Sequence, residues 1–355
     1  MISPRLLRVV LIVEVAVATA CLCSVVLHGL WLWRRRRADA RLLGRAQAAL
    51  AAAIDGDELD EGRVAELRGL PRRVQREAVE QLAVSVTGPD GARMGRVAET
   101  LGLVAAAKRR CRSRRWGRRL LGAHQLNVYG HGDEVLDLLF DDRHPAVRAQ
   151  AIEWAADSRL ERVASRLVSS LQDPSALCRN TGADGILRAG ATLVEALARE
   201  LAERGGQDRA DLLVVLARRP DARYGPVALV AVTDDLPAVR AAAAGLLGGV
   251  GGAEAAIALT SLLVDADATV RATAADGIRR LGHQLAAPDL APLLRDPSFD
   301  VRRAAGAALA ALGPGGVLLL RHYLADEDRF AADMARYSLD VAALRAPAVG
   351  RMARP

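Results

Sequence analysis

Residues 296–313 read DPSFDVRRAAGAALAALG, in which an aspartate is followed six residues later by an arginine and then by a stripe of alanine and leucine. The same arrangement returns along the chain, with its arginine at Arg148, Arg179, Arg240, Arg271 and Arg302. The steps between these arginines are 31, 61, 31 and 31 residues, so the long step spans two periods with a degenerate copy near residues 203–209. A period of this length indicates a protein built by stacking one small unit on the next.

Each unit has the pattern of two helices joined by a tight turn. Asp296 is a favourable N-cap, and Pro297 suits the first helical position, where a missing N–H costs nothing. The apolar positions that follow fall on one face of a helix, which Gly313 and Pro314 end. Residues 285–296, LAAPDLAPLLRD, supply a shorter helix before the turn. Because one unit cannot bury such a face alone, the pattern predicts an all-α solenoid of stacked repeats.

The composition agrees with helices packed through small side chains. Aromatic residues make up only 3%, and Lys108 is the only lysine, so arginine supplies nearly all of the positive charge. The net charge of +7 permits anionic partners. Four scattered cysteines and no Cys or His spacing typical of zinc favour a reducing compartment, and we predict neither a metal site nor a cofactor.

The leucine-ended first helix, the Asp-Pro or Asp-x-x turn, and the Val-Arg and Ala-Ala-x-x-Leu second helix resemble the HEAT-repeat family, most closely the short bacterial kind also found in phycobilisome-lyase-type proteins. The resemblance implies an α–α superhelix whose recurring aspartate and arginine form a structural ladder of hydrogen bonds. It runs from about Asp133 to Gly315 and is weaker over Leu324–Leu344, which lacks the arginine and resembles a terminal cap. The implied pairs are Asp142 with Arg148, Asp173 with Arg179, Asp234 with Arg240, Asp265 with Arg271, and Asp296 with Arg302.

The N-terminal region contains an apolar run of 25 residues, Val9–Trp33, interrupted by one charge at Glu14. This length predicts a single transmembrane helix. Four arginines follow at residues 34–37, so the positive-inside rule places the N-terminus outside and the solenoid in the cytoplasm, anchored to the cell inner membrane. Glu14 is interpreted either as a tolerated polar residue or as a contact with a partner helix. A cleaved signal peptide is the alternative, although such a peptide has a shorter apolar core.

These observations divide the chain into five segments. They are an anchor over 1–33, a basic helical stalk over 34–60, divergent N-terminal helical repeats over 61–132, the HEAT-like solenoid over 133–345, and a C-terminal tail over 346–355.

A strongly basic cluster, KRRCRSRRWGRR, covers residues 108–119 and holds eight positive charges with no acid. It is interpreted in three ways: a solvated helix end, a contact for anionic lipid headgroups, or a nucleic-acid contact. The residues that would contact an anion are Lys108, Arg109, Arg110, Arg112, Arg114, Arg115, Trp116, Arg118 and Arg119.

No arrangement of residues argues for catalysis, and we predict that the protein is not an enzyme. The glycine-rich stretch over residues 248–254 follows a helix and lacks the Lys-Ser or Lys-Thr of a phosphate-binding loop. The first hypothesis is a membrane-anchored bacterial scaffold for protein–protein interaction, whose partner by fold-level analogy is an envelope enzyme such as a glycosyltransferase, or a transporter. The alternatives are a membrane-tethered nucleic-acid-binding protein that uses the basic cluster and, third, a lyase-like enzyme.

Overall fold

The regular structure of the described residues is helical. The computed structural model describes residues 21–22, 24–28, 40–55, 59–83, 86, 88–158, 161–188 and 191–345. Across these ranges the chain forms α-helices, short 3₁₀ turns and loops, and no strand occurs within them. The predicted all-α fold is confirmed. The chain divides into two compact units, Met1–Asp137 and Leu138–Pro355.

The described part of the first unit consists mainly of short helices. From residue 40 onward its helices are α1 (residues 40–54), α2 (Glu61–Arg68), α3 (Arg72–Ala83), α4 (Pro89–Thr100), α5 (Leu103–Cys111) and α6 (Trp116–Tyr129). Helix α2 starts at Asp60, whose carboxylate accepts hydrogen bonds from the backbone N–H groups of Gly62 and Arg63. Such a cap satisfies donors that the first turn of a helix leaves unpaired.

Helix α1 belongs to the core of the first unit, although the sequence places it in a stalk. Ala46, Leu50 and Ala53 on this helix are fully buried. The Ile54 carbonyl at its end accepts a hydrogen bond of 2.9 Å from Arg93 Nε on α4. The apolar face that suggests a stalk is therefore covered by neighbouring helices.

The predicted transmembrane anchor and the inner-membrane localisation are corrected by the structure. Of Val9–Trp33, the described residues include only 21–22 and 24–28. Glu14 lies outside the described residues. A bilayer span needs about 20 apolar residues in one helix. In the part of the chain that the structure describes, no helix combines the length and the apolar character that a membrane crossing requires.

The second unit is built from helix pairs that follow the repeat, each pair having a first helix, a turn and a second helix. The pairs begin at the division between the units and continue to residue 345. The first helices are α7 (Leu136–Phe140), α9 (Ala164–Ser169), α11 (Ala191–Glu203), α13 (Gly225–Ala231), α15 (Ala253–Ser261), α17 (Ala287–Leu290) and α19 (Pro314–Tyr323). The second helices are α8 (Pro145–Ser158), α10 (Ala176–Leu187), α12 (Gly206–Leu216), α14 (Pro237–Val250), α16 (Ala268–Leu281), α18 (Phe299–Ala311) and α20 (Arg329–Arg345).

Successive second helices pack on one another and hold the core of the second unit. The valine directly before the repeated arginine is fully buried at Val147, Val239, Val270 and Val301. The alanines on the same face are also buried, and their small side chains allow the helix backbones to approach closely. Each repeat added to the stack therefore buries more apolar surface. This burial stabilises the fold by about 25 cal/mol per Å².

Two second helices approach each other closely where α14 crosses α16. A Cβ atom added to Gly248 would lie 2.5 Å from the Cα atom of Gly277, closer than Cβ atoms come in proteins. A Cβ atom added to Gly245, one turn earlier, would lie 3.8 Å from the nearest side-chain atom of Thr273, an ordinary contact. The sequence therefore needs glycine at position 248 for packing, although glycine is a poor helix former.

This difference predicts opposite effects of two alanine substitutions on α14. Gly248→Ala is expected to lower the free energy of unfolding by about 1–3 kcal/mol, because the added methyl group overpacks the crossing. Gly245→Ala is expected to raise it by about 0.5–1 kcal/mol through helix propensity alone. Denaturant unfolding followed by circular dichroism measures both. A Gly248→Ala protein as stable as the Gly245→Ala protein would show that the helices are not in close contact there.

Candidate functional site: the arginine ladder and the groove beside it

The turn between the first and the second helix of a repeat is organised by its aspartate. The carboxylate accepts a hydrogen bond from the backbone N–H two residues further on, as Asp296 does from Ser298 at 2.8 Å. The same bond, also of 2.8 Å, joins Asp173 to Ser175. This local bond fixes the carboxylate before it meets another repeat.

Each fixed carboxylate binds the arginine of the preceding repeat, 25 residues earlier in the chain, and we call this contact a rung. Three rungs are bidentate, with Nε and Nη2 of the arginine on the two carboxylate oxygens at 2.7–3.0 Å. They are Arg148 with Asp173, Arg240 with Asp265, and Arg271 with Asp296. Their side chains are largely buried, with at most 17% exposure. Such charge-assisted bidentate pairs are both strong and directional.

The third nitrogen of the arginine binds the turn of its own repeat. Arg271 Nη1 donates to the carbonyl oxygens of Asp265 at 2.7 Å and Ala266 at 3.0 Å. All five predicted pairs of an aspartate and the arginine six residues on meet in this way. The bonds within these pairs do not involve the aspartate side chain. Each arginine binds the backbone carbonyl of the aspartate in its own repeat, and in a rung it binds the carboxylate of the aspartate in the next repeat.

A fourth rung uses Arg209, in the degenerate repeat that the spacing places near residues 203–209. Arg209 Nη1 donates to Asp234 at 3.0 Å, and Arg209 Nε donates to the Leu201 carbonyl. Its position 31 residues before Arg240 is the signal that identifies it.

The ladder is interrupted after Arg179. The residue 31 positions after Asp173 is Arg204, so no carboxylate stands there to bind Arg179. Arg204 instead donates to the side chains of Ser165 and Ser169 on α9. Arg179 keeps its bond to the Asp173 carbonyl at 2.8 Å and is otherwise exposed.

The three bidentate rungs lower the pKa of their carboxyl groups. The hydrogen bonds from Arg148 and Arg240 hold the pKa of Asp173 and Asp265, respectively, below the usual range. At Asp296 burial raises the pKa, but the bonds from Arg271 and from the Ser298 N–H outweigh it and the pKa is lowered. A lowered pKa in the folded state means that these groups stabilise the fold only while they are ionised.

We therefore expect the free energy of unfolding to fall as the pH drops below the unfolded aspartate pKa of about 3.9 towards the lower folded values. Asp265→Asn should cost about 2 kcal/mol at neutral pH, because it removes the charge that pairs with Arg240, and should flatten this acid slope. Denaturant unfolding at a series of pH values measures it. Asp300→Asn is the control, since its carboxylate lies at the surface, 3.6 Å from Arg303. An Asp265→Asn protein with an unchanged slope would contradict the linkage.

A groove runs across the exposed faces of α16, α18 and α20. It consists of two adjoining depressions of about 550 and 410 Å³, both lined by Arg279, Arg303 and Ala307. Alanines form much of its floor. At its rim, Arg279 pairs with Asp276 at 2.7 Å and Arg303 pairs with Asp300 at 3.6 Å. The groove therefore offers an apolar floor between charged groups that remain open to solvent.

In the first unit, the basic cluster surrounds the turn between α5 and α6, and three of its cations have partners. Lys108 pairs with Glu134 at 2.5 Å. Arg110 donates to the buried amide of Gln125, and Arg119 binds backbone carbonyls within the cluster. Trp116 is 48% exposed. Five arginines are exposed, and their guanidinium groups make no hydrogen bond or ion pair with another described residue: Arg109, Arg112, Arg114, Arg115 and Arg118.

The histidines and cysteines do not assemble with acids into a metal site in the described parts of the chain, where no group of three or more His, Cys, Asp and Glu side chains is placed to hold an ion. His131 Nδ1 lies 3.0 Å from the Tyr129 carbonyl, and the backbone N–H of His144 binds Asp142 within a turn. The absence of enzymatic activity and of a cofactor stays a prediction.

Comparison with known proteins identifies HEAT repeats in part of the second unit. A family model of HEAT repeats matches residues 226–311 and 258–340, and the predicted resemblance is confirmed over these residues. A search of curated protein sequences finds no match.

Several solved structures are similar to this chain at low identity. An engineered protein aligns with 86% of this chain and 94% of its own, at 20% identity and a TM-score of 0.37. Human deoxyhypusine hydroxylase aligns with 86% of this chain and 98% of its own, at 19% identity and a TM-score of 0.30. Kap121p bound to Pho4p aligns with 85% of this chain and 41% of its own, at 13% identity and a TM-score of 0.48. Likenesses this distant do not identify an activity or a partner.

Proposed function

We propose that the protein is a scaffold that binds another protein in the groove across α16, α18 and α20. HEAT repeats generally mediate interactions between proteins. The observation that carries the proposal is the groove itself, an exposed alanine floor between paired charges that continues over three successive repeats.

The geometry of the groove suits an extended segment of a partner. Its two depressions adjoin at Arg279 and Arg303, so a bound chain would cross from one repeat to the next. The exposed ion pairs at the rim are worth little to stability, which leaves their charged groups available to a partner. Tyr337, 57% exposed at the far end, adds an aromatic surface of the kind enriched at interfaces.

The rungs support this role because they hold the groove in shape. Arg271 on α16 binds Asp296, which stands just before α18, so the two helices that line the larger depression are tied at one end. A groove on rigid elements loses less conformational entropy on binding than a flexible one.

Charge reversal in the groove tests the proposal. We expect the full-length Arg279→Glu/Arg303→Glu protein to lose, by tenfold or more, a protein that copurifies with the wild type, because the two arginines shared by both depressions become acids and reverse the charge that a partner meets. Affinity purification with quantitative mass spectrometry measures the retention.

The matched control for this experiment is Arg218→Glu/Arg321→Glu, which changes the net charge equally at exposed positions that do not line the groove. The control protein should retain the same partner as the wild type. If every copurifying protein is retained equally by the groove variant, the groove is not the binding site.

A second candidate function, nucleic-acid binding, is favoured by the basic cluster alone. We propose it because the guanidinium groups of five exposed arginines there have no described partner and because Trp116, in the same cluster, is 48% exposed. A cationic surface with an exposed aromatic ring suits single-stranded nucleic acid, whose phosphates bind arginine and whose bases stack.

Salt dependence distinguishes this candidate. If four arginines of the cluster contact phosphates, replacing Arg112, Arg114, Arg115 and Arg118 with Gln should reduce the slope of log K against log salt by about 3 for a single-stranded oligonucleotide. Fluorescence anisotropy of a labelled oligonucleotide measures the slope. Neutralising four exposed arginines of the second unit instead should leave it unchanged, and equal slopes in both variants would assign the binding to net charge. The control positions are Arg218, Arg321, Arg329 and Arg336.

A further inference from the structure

The ladder ends at an arginine that has no carboxylate. Arg302 donates Nη1 to the carbonyl oxygens of Asp296 at 2.7 Å and Pro297 at 3.0 Å, as the arginines of complete rungs do. Its Nε is buried and has no hydrogen-bond partner. In the three bidentate rungs this nitrogen binds an aspartate.

A change in spacing removes the carboxylate from Arg302. The residue 25 positions further on is Glu327, which is exposed, whereas the turn aspartate is Asp326, one position earlier. Asp326 is held by Arg295, whose Nε and Nη2 bind its two carboxylate oxygens at 3.1 and 2.6 Å. The last repeat is therefore joined through a different arginine, and Arg302 keeps an unused donor.

Two exposed phenylalanines flank this arginine. The Cζ atom of Arg302 lies 5.9 Å from the centre of the Phe299 ring and 5.0 Å from that of Phe330. The two side chains are 58% and 64% exposed. Together they make an apolar surface around one guanidinium whose Nε is unpaired and already removed from water.

Arg179, the other arginine without a carboxylate, lacks this setting. It is exposed, and no aromatic ring is found against it in the described part of the second unit. An exposed guanidinium gains little from a carboxylate because water already solvates it, whereas a desolvated donor gains more from the same bond. Arg179 is therefore the matched control for Arg302.

We propose that Arg302, Phe299 and Phe330 form a docking site for an aspartate or glutamate of a partner protein, carried on a segment with apolar residues beside the acid. The chain itself shows the chemistry, since three arginines in the same position bind carboxylates through Nε and Nη2. Because Phe330 is exposed, its ring can turn on a fast timescale and admit the carboxylate to Nε. The inference rests on the proposed scaffold function, but none of the three residues lines the groove.

The test uses the full-length protein and a fluorescein-labelled peptide that copies residues 294–299, Leu-Arg-Asp-Pro-Ser-Phe, the turn that binds Arg271 in this chain. Fluorescence anisotropy at low salt measures its binding. We expect saturable binding that weakens tenfold or more when the peptide aspartate is replaced by asparagine, and equally when the protein carries Arg302→Gln. Arg302→Lys should also lose most of the affinity, because lysine keeps the charge without the bidentate geometry.

Controls separate this site from folding and from the groove. Arg179→Gln should bind the peptide as the wild type does, and the unfolding midpoint of Arg302→Gln should be no lower than that of Arg179→Gln. Arg279→Glu/Arg303→Glu should leave peptide binding intact, so failure of the groove proposal and failure of this one give different results.

Three outcomes would overturn the inference. They are no saturable binding of the aspartate peptide, equal binding of the asparagine peptide, and unchanged binding by Arg302→Gln. Sedimentation of the protein alone adds a fourth, because a dimer that Arg302→Gln abolishes would assign the site to a second copy of this chain.

Discussion

The bond from an arginine to an aspartate 25 residues later is the constraint on which the second unit depends. A partly buried ion pair of this kind contributes little by itself, since desolvation offsets most of the attraction. Here both partners are fixed by other bonds, the aspartate by the N–H of its own turn and the arginine by carbonyls of its own turn. Little conformational entropy is therefore lost when a rung forms, because both side chains are already ordered. Each rung then sets the distance from one turn to the next.

This constraint explains why the period of the sequence is so constant while the first helices vary. Where the aspartates and arginines keep their spacing, as from Arg240 to Asp296, the second helices pack through alanine and glycine at close range. The first helices range from the four residues of α17 to the thirteen of α11. A first helix can change in length as long as the turn after it returns the aspartate to the next arginine.

The sequence predicts the helix pairs and the ladder residues because both follow from periodicity. It does not predict which atoms meet, because an aspartate and an arginine six residues apart also lie near the corresponding residues of the neighbouring repeat. The sequence also does not predict the pairing of Asp326 with Arg295, because this pairing depends on a shift of one residue in the repeat spacing. The groove escapes prediction because its floor consists of alanines that resemble the buried ones in the sequence. The sequence assigns helix α1 to a stalk because an apolar stripe predicts that one face of the helix is buried. The stripe does not indicate which part of the protein buries it.

The complete rungs and the interruptions of the ladder differ in what they leave for binding. In a complete rung all three nitrogens of the guanidinium are used within the chain, so a partner finds no free donor there. Binding must therefore occur where the repeat departs from its own rule or on the faces that the rungs do not use. The groove lies on a face that the rungs do not use. Arg302 lies where the repeat departs from its regular spacing. Arg302 differs from Arg179 in that two aromatic rings keep it partly out of water, and a desolvated donor without a partner destabilises the fold by about 1–3 kcal/mol. A ligand that satisfies the donor recovers that energy, which makes the end of the ladder a stronger anchor than its interior.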